Sequence, residues 1–289
     1  MSAPVWLGLY LAGAGSALLL WRLRNLRGTT LTATWGWIQA ALWAVPLSEC
    51  LLAFAAPESE GVAQACRFLA ATMSLCPVIS QLGAKRPQHN IWVFIVGSFW
   101  FVISLPALEH LVFRDGTSLE ITTARRAFVV VLIGLGAVNN LPHRFGLSAF
   151  LVVVGQTVLF LRVPLEIASA TVLAEFCFVS AAALVCIGLP RAPKQRTSAD
   201  QVWSAFRAAF GTLWTLRVAQ RVNELQERAE SNVRLGWNGF RLDDESEFPI
   251  AFAAGSPELK SFNRVISRFV TADWTQLHAR SPNESPPRT

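Results

Sequence analysis

Apolar blocks long enough to cross a membrane alternate with short polar breaks through the first 190 residues. The clearest alternation runs from Cys66 to Leu108. It reads CRFLAATMSLCPVISQLGA, then Lys85-Arg86-Pro87-Gln88-His89-Asn90, then IWVFIVGSFWFVISLPAL. A hydrocarbon core of about 30 Å takes about 20 apolar residues of helix, so this stretch predicts a transmembrane hairpin turned on a basic loop. The same pattern predicts spans over Pro4–Trp21, within Thr32–Ala56, over Val62–Ala84, over Ile91–Phe113 and over Ile167–Leu189. Gly8, Ala12 and Ser16 recur every fourth residue in the first span and give it a face for close helix packing. Pro106 is the expected kink of the fourth.

Two shorter runs, Ala127–Leu141 and Leu147–Leu161, flank Pro142-His143-Arg144-Phe145-Gly146. Each yields about 22 Å of helix, short of a full crossing. They read as two short spans or as a re-entrant pair, and both arrangements start and finish on one side. The expected fold is therefore an all-α polytopic membrane protein of about seven transmembrane helices, or five plus a re-entrant helical hairpin.

Beyond the bundle (residues 1–190) the pattern changes, and residues 191–280 predict a small cytoplasmic α+β domain. Ser198 with Gln201 resembles a capping box, followed by Val202, Phe206, Phe210 and Leu213 at helical spacing beside Trp203 and Trp214. The second half of this helix is charged, from Arg217 to Glu230. It reads either as an amphipathic helix on the inner headgroup surface or as one packed on its own domain. Val233–Leu235 and Phe240–Leu242 predict a hairpin on a type I′ turn at Asn238-Gly239. The acidic run Asp243–Glu247 reads as a solvated loop. Ser256 and Pro257 start a further helix, as cap and first residue, with Leu259, Phe262, Ile266 and Phe269 on one face. The tail, 281–289, is polar and proline-containing and is expected to be disordered.

Composition agrees: the chain of 289 residues is 53% hydrophobic, with mean hydropathy +0.40. Its net charge of +6 marks topology rather than nucleic-acid binding, since no basic stripe carries interleaved aromatics. Arg22, Arg24, Arg27, Lys85, Arg86, Arg144, Arg191, Lys194 and Arg196 fall on one side of the layout, against Arg114, Arg125, Arg126 and Arg162 on the other. That excess puts the N-terminus outside and the C-terminus in the cytoplasm, with Lys85 and Arg86 as the topology-setting loop. Positive charge follows the first apolar run rather than preceding it, as in an anchor rather than a cleaved leader.

Charge inside the spans is where chemistry is expected. Glu49 lies eight residues before Pro57, and Arg67 six after Gly61. Both fall about 9–12 Å below the same outer turn, on adjacent antiparallel helices, so an ion pair is available. Glu175 falls at similar depth, and Glu109 and His110 lie nearer the outer surface. Cys50 and Cys66 invite a disulfide at that turn, but neighbouring helix positions point about 100° apart. The disulfide and the ion pair thus exclude each other, and the pair is favoured. The five cysteines form no zinc spacing, and the four histidines no haem pair. No nucleotide, nucleophile or HExxH motif is present, so no cofactor or metal is expected.

The leading expectation is a non-catalytic bacterial plasma-membrane protein, an assembly, scaffold or regulatory subunit that docks a protein partner through residues 197–280. The alternative is a small-solute transporter using the outer polar cluster, with a homo-oligomer supplying the second half that the sequence does not repeat. A membrane-embedded enzyme comes third, for want of an acid–base pair.

Overall fold

A computed structural model of the chain describes residues 3–55, 59–113, 119–161, 167–187, 197–242, 252 and 255–279. Several expected features lie outside the described residues: Pro57-Glu58, the start of the loop at Arg114, Arg162, Arg191–Arg196, Asp243–Glu247 and the tail. The chain divides into two compact units. The first comprises Met1–Leu26, Leu31–Ala84 and Gln88–Leu189, and the second Arg27–Thr30, Lys85–Pro87 and Pro190–Thr289.

The first unit is helical: α1 (Ala3–Arg22), α2 (Thr32–Ala55), α3 (Glu60–Met73), α4 (Cys76–Leu82), α5 (His89–Phe113), α6 (Thr123–Asn140), α7 (Gly146–Leu161) and α8 (Ile167–Ile187). Five stretches are long and apolar enough to cross a membrane: α1, α2, α3 with α4, α5 from Ile91, and α8 from Ser169. The two short runs form α6 and α7, of 18 and 16 residues. Arg125 and Arg126 stand in the first turn of α6. Leu132 and Ile133 of α6 and Val153 and Phe160 of α7 pack into a core with Phe68, Leu75, Ile103 and Ala107.

Small residues set where α1 goes. Val5, Gly8, Ala12, Gly15 and Ser16 are its buried positions, and a Cβ on Gly15 would overlap Leu42 of α2 and Val179 of α8. Ser16 Oγ donates to Gln39 Oε1 at 2.7 Å and accepts from Trp43 Nε1 at 2.8 Å. At the far end Arg22 donates to the carbonyls of Val185 and Cys186, at 2.9 and 3.2 Å. These belong to the last turn of α8, which has no helical donors left for them. Helices α1 and α8 therefore run parallel.

The third span is broken, where an unbroken Val62–Ala84 was expected. Ser74 and Leu75 form a turn between α3 and α4. Pro77 is the cause: it has no N–H for the Met73 carbonyl, and its ring crowds that carbonyl. Exposed main chain is costly inside a bilayer, and the break is repaired by side chains. Gln156 Nε2, from α7, donates to the Ser74 carbonyl at 2.8 Å. Thr72 and Ser104 share a hydrogen bond of 2.9 Å, and Thr34 and Ser80 one of 3.1 Å. Asn139 Nδ2 donates to Gln81 Oε1 of α4 at 3.0 Å. The Asn139-Asn140 pair thus ties α6 to α4 instead of merely closing its own helix.

The second unit holds α9 (Ser198–Arg228), β1 (Val233–Leu235), β2 (Phe240–Leu242), α10 (Pro257–Ile266) and α11 (Ala272–Ala279). The cap of α9 is Thr197, one residue before the expected Ser198. Its Oγ1 accepts from the Asp200 N–H at 3.3 Å and donates to Asp200 Oδ2 at 2.8 Å. The aromatic half of α9 is buried in this unit's own core, which decides between its two readings. Trp203, Phe206 and Phe210 stack in sequence, and Phe262 and Phe269 meet them edge-on. Gly211, at φ +79°, interrupts α9, a backbone state that glycine alone takes up freely. Ser256 caps α10 and Pro257 is its first residue, as expected.

The hairpin forms, but its turn sits one residue early. Leu235 pairs with Phe240, and the Gly236 N–H donates to the Gly239 carbonyl at 2.8 Å, so Trp237 and Asn238 are the central residues. Tertiary contacts override the Asn-Gly preference. Trp203 Nε1 donates to the Gly236 carbonyl at 3.0 Å, Arg207 to the Trp237 carbonyl, and Asp200 Oδ1 accepts from the Phe240 N–H at 2.9 Å. A Cβ on Gly239, at φ +143°, would strike the Asp200 carboxylate.

Two pieces of distant chain complete the unit through main-chain bonds. The Thr30 N–H donates to the Phe269 carbonyl, Thr271 N–H to the Gly28 carbonyl and Arg86 N–H to the Arg268 carbonyl, at 2.9, 2.7 and 2.9 Å. Gly28, at φ +81°, has Thr271 and Trp274 against its α-carbon, so a side chain does not fit there.

Asp200 is 4% exposed. Asp200→Ala strands the Phe240 N–H, at a cost of about 1–3 kcal/mol, and hydrogen exchange in 233–242 is expected to speed up accordingly. In α10, Glu258 is held below the usual glutamate range by its own main-chain N–H at the helix start and by the Ser231 hydroxyl. A depressed carboxyl contributes stability above its unfolded value, about 4.3, and loses it as pH falls through the lower folded value. Glu258→Gln is expected to flatten the acid sensitivity of α10 amide exchange in that window.

Candidate functional site

The polar cluster expected near one end of the bundle divides into a closed contact and a cavity. Arg67 reaches Glu49 with two donors: Nε to Oε1 at 2.8 Å and NH2 to Oε2 at 3.2 Å. This fork is the strong form of a carboxylate–guanidinium pair. Arg67 also lies 3.9 Å from Glu60, which is exposed. The side chains of Arg67 and Glu49 are 26% and 14% exposed, between a surface pair and a sealed one. Cys50 and Cys66 are free thiols.

Beside the pair, Pro4, Val5 and Gly8 of α1, Val45, Pro46 and Glu49 of α2, and Thr171, Val172 and Glu175 of α8 line a cavity of about 60 Å³. Gly8 faces Pro46 across this space, and a Cβ there would sit 3.4 Å from it, in ordinary contact. Glu175 is 1% exposed, and among the described residues neither carboxyl oxygen has a hydrogen-bond partner. Glu49, Arg67 and Glu175, if all ionised, leave one uncompensated negative charge.

Glu109 and His110 are not part of this arrangement. Glu109 is exposed, while His110 is buried with no partner for Nε2 among the described residues. Among the described residues neither bonds to Glu49, Arg67 or Glu175, and neither lines the cavity. Lys85 and Arg86 belong to the second unit, half-buried. No three metal-ligating side chains gather among the described residues. Sequence reasoning missed Gly8 and Pro46 as walls of the cavity. Their signal was a glycine and a proline in two helices already expected to be neighbours.

The chain matches no protein-family model, no curated protein and no solved structure. The site is therefore read from its own chemistry.

Arg67→Ala leaves Glu49 without its partner. The expected loss lies between the roughly 0–1 kcal/mol of an exposed pair and the about 3–5 kcal/mol of a stranded buried charge. Glu49→Gln combined with Arg67→Gln is expected to cost less than either single change. Thermal unfolding in detergent of the unaltered chain, Glu49→Gln, Arg67→Gln and the double variant measures this, and additive losses would show that the pair contributes nothing to stability.

Proposed function

We propose that the chain is a non-catalytic integral protein of a bacterial-type plasma membrane, with its N-terminus outside. Its C-terminal unit lies in the cytoplasm and serves as an assembly or regulatory platform. About seven helices cross, α6 and α7 being the two short ones, with Asn139 at the end of α6 reaching Gln81 at the end of the third span. The observation carrying this reading is the make-up of the second unit. Arg27, Lys85 and Arg86, all charges of the expected inner loops, share one compact body with the C-terminal chain. Main-chain bonds at Gly28, Thr30 and Arg86 build those loops into it, which suits a surface that must hold its shape for a partner.

Two measurements test this. With native cysteines replaced, an impermeant thiol reagent applied outside is expected to label Ser59→Cys and leave Gln88→Cys unmodified; the reverse pattern overturns the orientation. Deleting 197–280 is expected to leave the bundle inserted and to remove a stoichiometric co-purifying protein. Identical co-purification with and without the deletion overturns the platform reading.

A second reading is a small-solute carrier, favoured by the cavity with an unpartnered Glu175 in its wall. Ionisable groups at that depth are costly and usually serve a pathway or a ligand.

A further inference from the structure

The cavity between α1, α2 and α8 asks for a particular kind of occupant. Its size excludes a nucleotide or a sugar. An anion is excluded by charge: Arg67, the cation beside the cavity among the described residues, spends two donors on Glu49, and Glu175 adds a carboxyl group. A calcium or magnesium ion wants about six or more oxygen ligands and a zinc ion about four ligands, whereas most of the lining is Pro4, Val5, Gly8, Val45, Pro46 and Val172. Apolar walls around one uncompensated carboxylate suit a ligand with a short alkyl part and a single positive charge.

We propose that this cavity binds a small organic ammonium ion, with Glu175 as its counter-charge and the proline and valine walls around its alkyl group. The independent sign of a ligand is Glu175 itself. A carboxyl group 1% exposed and, among the described residues, without a hydrogen-bond partner lacks what buried polar groups require, and an ammonium head supplies both donors and the charge that favours the ionised form. Glu49 is pre-neutralised by Arg67, so the site accepts one positive charge and thereby becomes neutral as a whole. This inference deepens the carrier reading and rests on the same cavity, without requiring movement across the membrane.

The test uses the purified full chain in detergent and ethylammonium as probe. A ligand of about three heavy atoms binds no tighter than roughly millimolar, so saturation-transfer NMR is the suitable readout. Saturable binding is expected, weakened about tenfold or more in Glu175→Gln, the order set by losing a charged hydrogen bond. Val172→Ala keeps the charge and widens the wall, and is expected to shift preference from ethylammonium towards propylammonium. Absence of saturable binding to the unaltered chain overturns the proposal, as does binding indifferent to Glu175→Gln. Equal competition by sodium chloride overturns it too, assigning the site to inorganic cations. Uptake of labelled ethylammonium into proteoliposomes is scored separately. Binding without uptake removes the carrier reading and leaves the binding site standing.

Discussion

The constraint on which most of this structure depends is the need to satisfy main-chain polar groups wherever helices stop. In water a broken helix end finds solvent; in a bilayer it must find protein. The chain meets this demand with side chains drawn from far away in sequence. Gln156 serves the carbonyl of Ser74 at the break of the third span, and Arg22 serves the last carbonyls of α8. In the second unit the same logic places Asp200 on the Phe240 N–H and Asn223 on both main-chain groups of Leu235. Helix α9 ends likewise: Ser231 N–H bonds back to the Gln226 carbonyl, and Glu230 takes up φ +53°. Gly usually holds that left-handed position.

Against this background Glu175 joins Gln226 and His110 as a buried side chain with polar atoms that have no partner among the described residues. Gln156 and Asp200 are as buried, and each has found a partner; Glu175 has not. A bundle that satisfies a carbonyl at a helix break with a side chain from another helix does not lack means to pair a carboxylate.

What the sequence disclosed followed from the kind of force involved. Lipid burial demands unbroken apolar runs, so α1, α2, α5 and α8 were legible almost to their ends. Glu49 and Arg67 were legible because equal distance from one turn means equal depth. The break at Ser74 was less so: the run stays apolar through it, and only Pro77 announced it. The turn at Trp237-Asn238 was misplaced by one residue because local preference lost to contacts from Asp200, Trp203 and Arg207. Burial of the α9 aromatics became clear only once Phe262 and Phe269 were seen against them. The recruitment of Gly28, Thr30 and Arg86 had no side-chain signature at all, since main-chain bonds leave none.

That recruitment also sets an order of events during synthesis. The segment Arg268–Thr271 closes onto residues made some two hundred positions earlier, so the second unit cannot be finished by local folding as it leaves the ribosome. Such distant pairings form late and slowly. Both interhelix segments must already be in place, which happens only if the first four apolar runs have entered the bilayer correctly. A chain with one run inverted would carry Gly28 or Arg86 to the wrong side and leave hydrogen-bonding groups and aromatic surface uncovered. Unfinished surface of this kind is what chaperones and proteases act upon. Completion of the C-terminal unit thus depends, through three main-chain bonds, on where the earlier apolar runs have been placed.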